Sequence, residues 1–412
     1  MNLAWVSLGA LIVALIASCT TPLNVGILSI VFAWIIGVYL GGMSVDDVIR
    51  GFPVALFVTL IGVTLMFTQA QLNGTLDKLA RGACRICRGN VGVIPIMFFV
   101  VACALASIGP GNIAAAALLA PMAMAVAARA AVPAFLMAIM VGNGANSGAL
   151  SPFAPTGIIA SGLMTRIGLA GYQWPTYWYN LIAHAIVAFG GYFLFGGWRL
   201  FRLTYTAPSG ETGGATDFDV KNWITVGMIA ALILSVLVFN ANVGMAALAG
   251  AVLLAILRVA DHHEAVRRMP WSVIMLVTGV TVLIGMLDRT KGLDLFTTLL
   301  ARLATQQSIT GVIALVAGLV SVYASTSGVI LPTFLPTVPG LIQRLGGGSA
   351  IAIASAINVG GHLVDVSPLS TIGALCLAAL PPSEDARSLF SKLLAWGLAM
   401  CIVGAIGCYL LL

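Results

Sequence analysis

The chain contains very few charged side chains for its length. Only 8% of its 412 residues are Asp, Glu, Lys or Arg, while 60% are hydrophobic. Soluble domains carry charge on about a quarter of their residues, so this composition excludes an ordinary soluble protein. Hydrophobic stretches of about 17–25 residues, each long enough to cross a bilayer, recur from end to end. The sequence therefore predicts an all-α polytopic membrane protein.

Motifs for other activities are also missing. The chain has no His-Glu-x-x-His motif, no Gly-x-Ser-x-Gly motif and no pair of aspartates deep in a hydrophobic stretch, which argues against an enzyme. Of seven cysteines, Cys84 and Cys87 have metal-site spacing, but no second Cys or His pair lies nearby. The net charge of +6 indicates cytoplasmic loops rather than nucleic-acid binding, since basic residues concentrate there in membrane proteins.

Hydrophobic stretches fall into two groups. Two long regions, 91–164 and 309–380, are interrupted by Gly, Pro and hydroxyl residues, and a polar segment at 204–221 is predicted to be a cytoplasmic linker between two halves. The remaining stretches are continuous and are predicted to span the membrane, at residues 3–20, 22–41, 53–72, 178–198, 222–240, 243–258, 272–288 and 391–411.

The interruptions lie where irregular backbone is costly. An unpaired backbone group in hydrocarbon costs several kcal/mol, so residues 142–157 (GNGANSGALSPFAPTG) must be buried in protein or line a watery cavity. One such kink would be an ordinary feature of a structural helix. A second one occurs at residues 358–368 (NVGGHLVDVSP). Corresponding interruptions in two halves of a chain indicate the binding site of a transporter.

A second pair of interruptions precedes the first pair. The sequences ASIGPGN (106–112) and ASTSG (324–328) each lie between apolar arms of about 15 residues. Arms of that length are too short to cross a bilayer but suit a hairpin that enters halfway. Two re-entrant hairpins and two broken helices are therefore expected to meet at the membrane midplane.

Weak internal matches indicate a duplicated chain. Residues 151–157 align with 367–373, and Asn112 aligns with Ser327, at offsets of 216 and 215. Five crossings in each half, an odd number, require two inverted repeats and about ten transmembrane helices. Most Lys and Arg then lie on the cytoplasmic side of the inner (plasma) membrane, with both termini outside. The repeats are predicted at 1–203, with a hairpin at 91–128 and a broken helix at 131–164, and at 222–412, with a hairpin at 309–343 and a broken helix at 349–380.

These paired features resemble the ion transporter superfamily, which includes the divalent-anion/sodium symporters. Within it, GANSGALSPFAPTGIIASGL and INVGGHLVDVSPLSTIGAL are most similar to MatC-type malonate/dicarboxylate carriers. The resemblance implies an elevator-type symporter, a homodimer in the lipid bilayer, whose amphipathic arms at 75–89 and 290–306 join a moving domain to a scaffold. In the symporters, Ser-Asn-Thr at each hairpin tip holds sodium and substrate carboxylates, and here only one of two Asn is present.

The resemblance and the polar residues at the interruptions together give the candidate site. For a small anionic substrate, the predicted residues are Asn112, Ser151, Pro152, Thr326, Ser327, His362, Ser367 and Pro368. For Na+, the predicted ligands are Ser107, Asn112, Asn146, Ser147, Ser325, Ser327, Asn358 and Asp365.

The ionisable residues at the predicted midplane leave two coupling modes open. An aspartate at that depth costs about 2.5–3.5 kcal/mol on insertion scales, so Asp365 is expected to be functional. The hypothesis is sodium-coupled symport of malonate or a C4-dicarboxylate. The alternative is a proton-coupled anion symporter or exchanger, or a cation/proton antiporter, that uses Asp365 and His362 for H+. By contrast, His184 lies alone among apolar residues and is interpreted as a packed histidine without a role in transport.

Overall fold

A computed structural model describes residues 2–21, 23–84, 89–205, 218–382 and 384–412. Most of these residues are helical, and the described strands form one two-residue antiparallel pair between β1 (Gly89–Asn90) and β2 (Thr204–Tyr205). Most of the linker, residues 206–217, and Cys87 lie outside the described residues. By length and apolar composition, five helices of the described part could cross a membrane, at Val54–Leu72, Gly111–Arg129, Val220–Phe239, Trp271–Arg289 and Ala386–Leu411.

The first half runs from α1 to α10. Its helices are α1 (Leu3–Thr20), α2 (Val25–Trp34, continued by a π-helix at Ile35–Leu40), α3 (Val45–Ile49), α4 (Val54–Leu72), α5 (Thr75–Cys84), α6 (Val93–Ile108), α7 (Gly111–Arg129), α8 (Ala134–Gly148), α9 (Pro155–Arg166) and α10 (Gln173–Leu194). A 3-10 helix follows at Gly197–Arg202.

The second half runs from α11 to α21. Its helices are α11 (Val220–Phe239), α12 (Val243–Ile256), α13 (His262–Arg268), α14 (Trp271–Arg289), α15 (Gly292–Ala301), α16 (Ile309–Ser321), a π-helix (Thr326–Ile330), α17 (Leu331–Phe334), a 3-10 turn (Leu335–Thr337), α18 (Val338–Leu345), α19 (Ala350–Leu363), α20 (Thr371–Ala378) and α21 (Ala386–Leu411).

The helices break at each of the four predicted interruptions, but residues 142–148 and 358–363, which were predicted to belong to two of these interruptions, are still helical. The first predicted hairpin is α6 and α7, which pack together and are joined at Gly109, whose positive φ of 142° suits glycine. The breaks between α8 and α9 and between α19 and α20 follow the predicted broken helices. At the second hairpin, the turn covers residues 322–325 and so begins two residues before the predicted interruption at 324–328.

Two helical lengths differ from the expectation. Helix α7 has 19 residues, more than the expected 15 and enough for a crossing by length, because Pro121 is accommodated inside it. The returning arm of the second hairpin is instead divided into four short pieces. Prolines recur along it at positions 332, 336 and 339, and each removes a helix donor and crowds the preceding turn.

Glycines allow the two halves to approach each other closely. Helix α2 packs on α14 where a side chain on Gly26 or Gly279 would collide with the facing backbone. In the same way α12 packs on α4 at Gly244 and Gly62. In each of these two contacts, a helix of the first half packs on a helix of the second half. The four helices α2, α4, α12 and α14 form one group, and the hairpins and broken helices lie beside it.

Candidate functional site

A cavity of about 130 Å³ lies where the hairpin turns meet the broken helices. It draws residues from both halves of the chain, as the paired interruptions predict. Of the residues predicted from sequence, the cavity is lined by Asn112, Ser325, Thr326, Ser327, His362 and Asp365.

Four helical segments begin at this cavity. Its wall includes Asn112 at the start of α7, Thr156 at the start of α9, Thr326 at the start of the π-helix and Thr371 at the start of α20. The first N–H groups of a helix lack partners within the helix and carry partial positive charge, so a helix start favours a bound anion. Among the described residues that line the cavity, none is Lys or Arg. The site therefore offers positive potential from backbone alone.

Asp365 is the carboxylate of the cavity. Its Oδ1 accepts a hydrogen bond of 2.9 Å from the Thr326 hydroxyl, which also lies 2.6 Å from the Ser321 hydroxyl. Its backbone carbonyl accepts hydrogen bonds from Ser370 Oγ and from the N–H of Gly373. The break between α19 and α20 is thereby fixed to the second hairpin, and the carboxylate is held beside hydroxyl oxygens.

Amide side chains join the first hairpin to three other helices. Asn112 Nδ2 donates to Asn146 Oδ1 on α8 at 2.9 Å, and Asn146 Nδ2 reaches the His362 carbonyl at 3.4 Å. Asn180 Nδ2 on α10 donates to the Asn146 carbonyl at 2.8 Å. All four residues are buried. Because buried polar groups need partners, these bonds fix the position of the first hairpin turn.

His362, a residue of the cavity wall, has one ring nitrogen that is buried without a hydrogen-bond partner among the described residues. Its Nδ1 lies 2.7 Å from the Asn358 carbonyl, which can only accept, so Nδ1 is the donor. Within the described residues, His362 Nε2 and Asn358 Oδ1 have no hydrogen-bond partner. His184 does not line the cavity and is buried against Asn143, whose Oδ1 lies 2.9 Å from its Nδ1.

Several predicted site residues lie away from the cavity wall. Ser151 Oγ donates to the Ser107 carbonyl at 2.6 Å and so ties the first break to the first hairpin. Ser367 accepts from the Leu369 N–H within its own turn. The structure places outside the cavity lining Ser107, Asn146, Ser147, Ser151, Pro152, Asn358, Ser367 and Pro368.

Other lining residues were missed by the sequence prediction. Tyr323 and Leu369, which are 60% and 44% exposed, form an apolar rim at the mouth of the cavity. The half-buried Ser370 and the exposed Thr371 also line the cavity. The signal for these two was their position directly after the Ser-Pro turn, where a helix restarts. Tyr323 had no comparable signal.

Comparisons with known proteins agree with this architecture. Residues 1–149 match the family model described as the N-terminus of the dicarboxylate carrier protein MatC. The chain is similar in structure to Neisseria gonorrhoeae MtrF, from a class of antimetabolite efflux pumps, with 14% identity and a TM-score of 0.60 over 89% of this chain and 82% of that one. It is also similar to the Alcanivorax borkumensis YdaH transporter, with 15% identity and a TM-score of 0.61 over 91% and 88% of the two chains. No curated protein matches the sequence.

The structural comparisons and the family match support different conclusions. At such low identity the two solved structures establish a shared fold. The family match confirms the resemblance to MatC-type carriers over residues 1–149. Together they support a membrane transporter of a small molecule and not an enzyme.

Proposed function

We propose that this protein is a secondary active transporter that carries malonate or a C4-dicarboxylate across the inner membrane together with sodium. The observation that carries the proposal is the combination, around one cavity, of helix starts, one carboxylate and no Lys or Arg among the described lining residues. Such a site attracts an anion through backbone and a cation through Asp365.

Helix starts suit the carboxylate groups of the substrate. A negative group at a helix N-terminus gains about 0.3–1 kcal/mol when exposed and up to about 2 kcal/mol when partly buried. Four starts sharing a substrate with two carboxylates would contribute several kcal/mol in total. Asn112, Ser327 and Thr371 add neutral donors at the same cavity. The dianion is thus recognised without a Lys or Arg partner.

Asp365 makes a co-transported cation necessary for this substrate. A dianion and an ionised aspartate in one small cavity repel each other unless a positive charge lies between them. Hard cations prefer oxygen ligands, and the Asp365 carboxylate has hydroxyl oxygens of Thr326 and Ser321 beside it. Sodium therefore binds on the aspartate side, and its charge offsets part of the substrate's charge.

Proton coupling remains the second candidate. It is favoured by the unpartnered Nε2 of His362, which lies in the same cavity wall as Asp365. In that case H+ would be carried by Asp365 and His362, and oxygen coordination of sodium would be unnecessary.

The size of the cavity favours a short substrate. A cavity of about 150 Å³ in another protein holds benzene, and the cavity here has about 130 Å³ with an open mouth. Malonate and succinate are only slightly larger than benzene, whereas citrate is about twice as large. The cavity therefore suits a three- or four-carbon dicarboxylate.

Helix packing suits an elevator-type movement. The glycine contacts of α2 with α14 and of α4 with α12 form a scaffold, and the hairpins and broken helices hold the cavity beside it. Helices α5 and α15 contact both groups and would be the connecting arms. Exposed apolar side chains on α1 and α11 would face lipid or the second subunit of a homodimer.

Uptake into proteoliposomes tests the proposed function. Purified protein is supplied with radiolabelled malonate, succinate, citrate or sulfate under an imposed sodium gradient, an imposed proton gradient or neither. Malonate or succinate should accumulate under the sodium gradient and not in choline medium. Equal uptake without sodium that follows the proton gradient would support proton coupling, and no uptake of any dicarboxylate would refute the substrate class.

A further inference from the structure

The two halves of the chain offer a cation very different surroundings. Sequence alone places possible sodium ligands at related positions in both halves, with Asn112 and Asn146 in the first and Ser327 and Asn358 in the second. If both positions held an ion, two sodium ions would accompany each substrate. Whether the second ion exists is decided by the contacts of the two positions.

The first-half position is closed and uncharged. Asn146 Oδ1, the natural amide ligand, already accepts a hydrogen bond from Asn112 Nδ2 at 2.9 Å. The hydroxyls of Ser107 and Ser147 donate within their own helices, to the carbonyls of Cys103 and Gly144 at 2.7 Å. Neither serine, nor Asn146, reaches the cavity wall.

Close packing also keeps this position small. A side chain at Gly148 would collide with the Cys103 carbonyl and with the side chain of Ser107, so no gap separates α8 from α6 there. The Ser107 carbonyl is covered by Ser151 Oγ at 2.6 Å. These contacts leave little room for an ion, and every oxygen that a cation would meet here is neutral.

The second-half position is open and charged. Asp365, Ser325, Thr326 and Ser327 all line the cavity, whereas Asn358 does not. Counted from the Ser-Pro turns, the first-half counterpart of Asp365 is Ala149, which has no side-chain oxygen. A cation leaving water needs its charge compensated, and among the described residues that line the cavity the one carboxylate, Asp365, belongs to the second half.

We infer that one sodium ion accompanies each substrate, bound on the second-half side at Asp365 and Thr326, and that the related first-half position binds none. This inference rests on the proposed sodium-coupled function. The Asn112–Asn146 amide pair takes the structural place of the missing ion, since it joins the first hairpin to the first broken helix.

Ion stoichiometry tests the inference with the unaltered protein. In proteoliposomes, initial uptake of radiolabelled malonate is measured against sodium concentration, and paired tracer fluxes of sodium and malonate are measured in the same vesicles. The expected result is a Hill coefficient of about one and about one sodium per malonate. A Hill coefficient and a flux ratio of about two would overturn the inference while leaving sodium-coupled transport intact. Malonate uptake that does not depend on sodium would instead overturn the proposed function.

A variant in the first half gives an independent test. Ser147→Ala removes a predicted ligand but keeps the fully buried helix position. The half-saturating sodium concentration is expected to change by less than about twofold, whereas loss of a true ligand would raise it by about tenfold or more. If the half-saturating sodium concentration rose about tenfold while the protein still eluted as a single species from size exclusion, the first-half position would have to bind an ion.

Discussion

Replacement of Asp365 by Asn is the most informative single change in this protein. Asn keeps the shape of the side chain and a carbonyl oxygen that can accept from the Thr326 hydroxyl, now 2.9 Å from Asp365 Oδ1. What disappears is one negative charge at the cavity. Two unit charges about 4 Å apart interact by about 1 kcal/mol in water and about 4 kcal/mol at an effective dielectric constant near 20.

The cavity is open to solvent, so the interaction energy that is lost with the charge should lie between these two limits. The half-saturating sodium concentration for malonate uptake is expected to rise by between about fivefold and about a thousandfold. Sodium-dependent initial rates in proteoliposomes measure it, with Asp261→Asn as the matched control. Asp261 is an exposed helix N-cap far from the cavity in sequence, and Asn caps a helix about as well as Asp. Wild-type sodium and pH dependence in Asp365→Asn would refute the cation site and leave Asp365 as a structural polar group.

Three further outcomes are expected. Gly144→Ala places a methyl group against the backbone of Phe99 and should lower the free energy of unfolding by about 1–3 kcal/mol. The melting temperature in detergent should fall accordingly. Gly227→Ala, whose methyl group meets open space, is the control and should leave the melting temperature unchanged. Asn112→Ala leaves the buried Asn146 oxygen without its donor and should lower the free energy of unfolding by about 1–3 kcal/mol. Thermal unfolding measures this loss, and malonate binding should weaken as well. An unchanged melting temperature would contradict a stabilising role of the amide pair. Citrate should compete with malonate uptake at least about tenfold less well than succinate does, and equal competition would contradict the size argument.

Much of the architecture could be predicted because its signals are local. Glycine and proline act on the backbone where they stand, so the breaks at 149–154 and 364–370 follow directly from the motifs at 142–157 and 358–368. Long apolar runs likewise predicted α1, α4 and α14 closely. The length of α7 was underestimated, because a proline in an apolar helix can be accommodated when neighbouring helices pack around it.

The site was harder to predict because it depends on which way each side chain turns. Asp365 could be selected from sequence because a charge at a helix break needs a partner, and Thr326 because its position resembles the hairpin tip of the symporters. Ser151 was also selected as a polar residue at a helix break. In the structure, however, its hydroxyl donates to the Ser107 carbonyl of the neighbouring hairpin at 2.6 Å, which the sequence does not indicate. Tyr323 lines the mouth through the turn of the second hairpin, and nothing in its neighbours along the chain indicates that position.

Direct localisation of the substrate would test the central claim that the cavity bounded by four helix starts is the dicarboxylate site. The measurement is a structure of the protein determined with malonate and sodium, compared with one determined in choline without malonate. Substrate density is expected between Asn112, Ser327 and Thr371, with one ion beside Asp365. Substrate density elsewhere, or carboxylates held by Lys or Arg side chains, would contradict it.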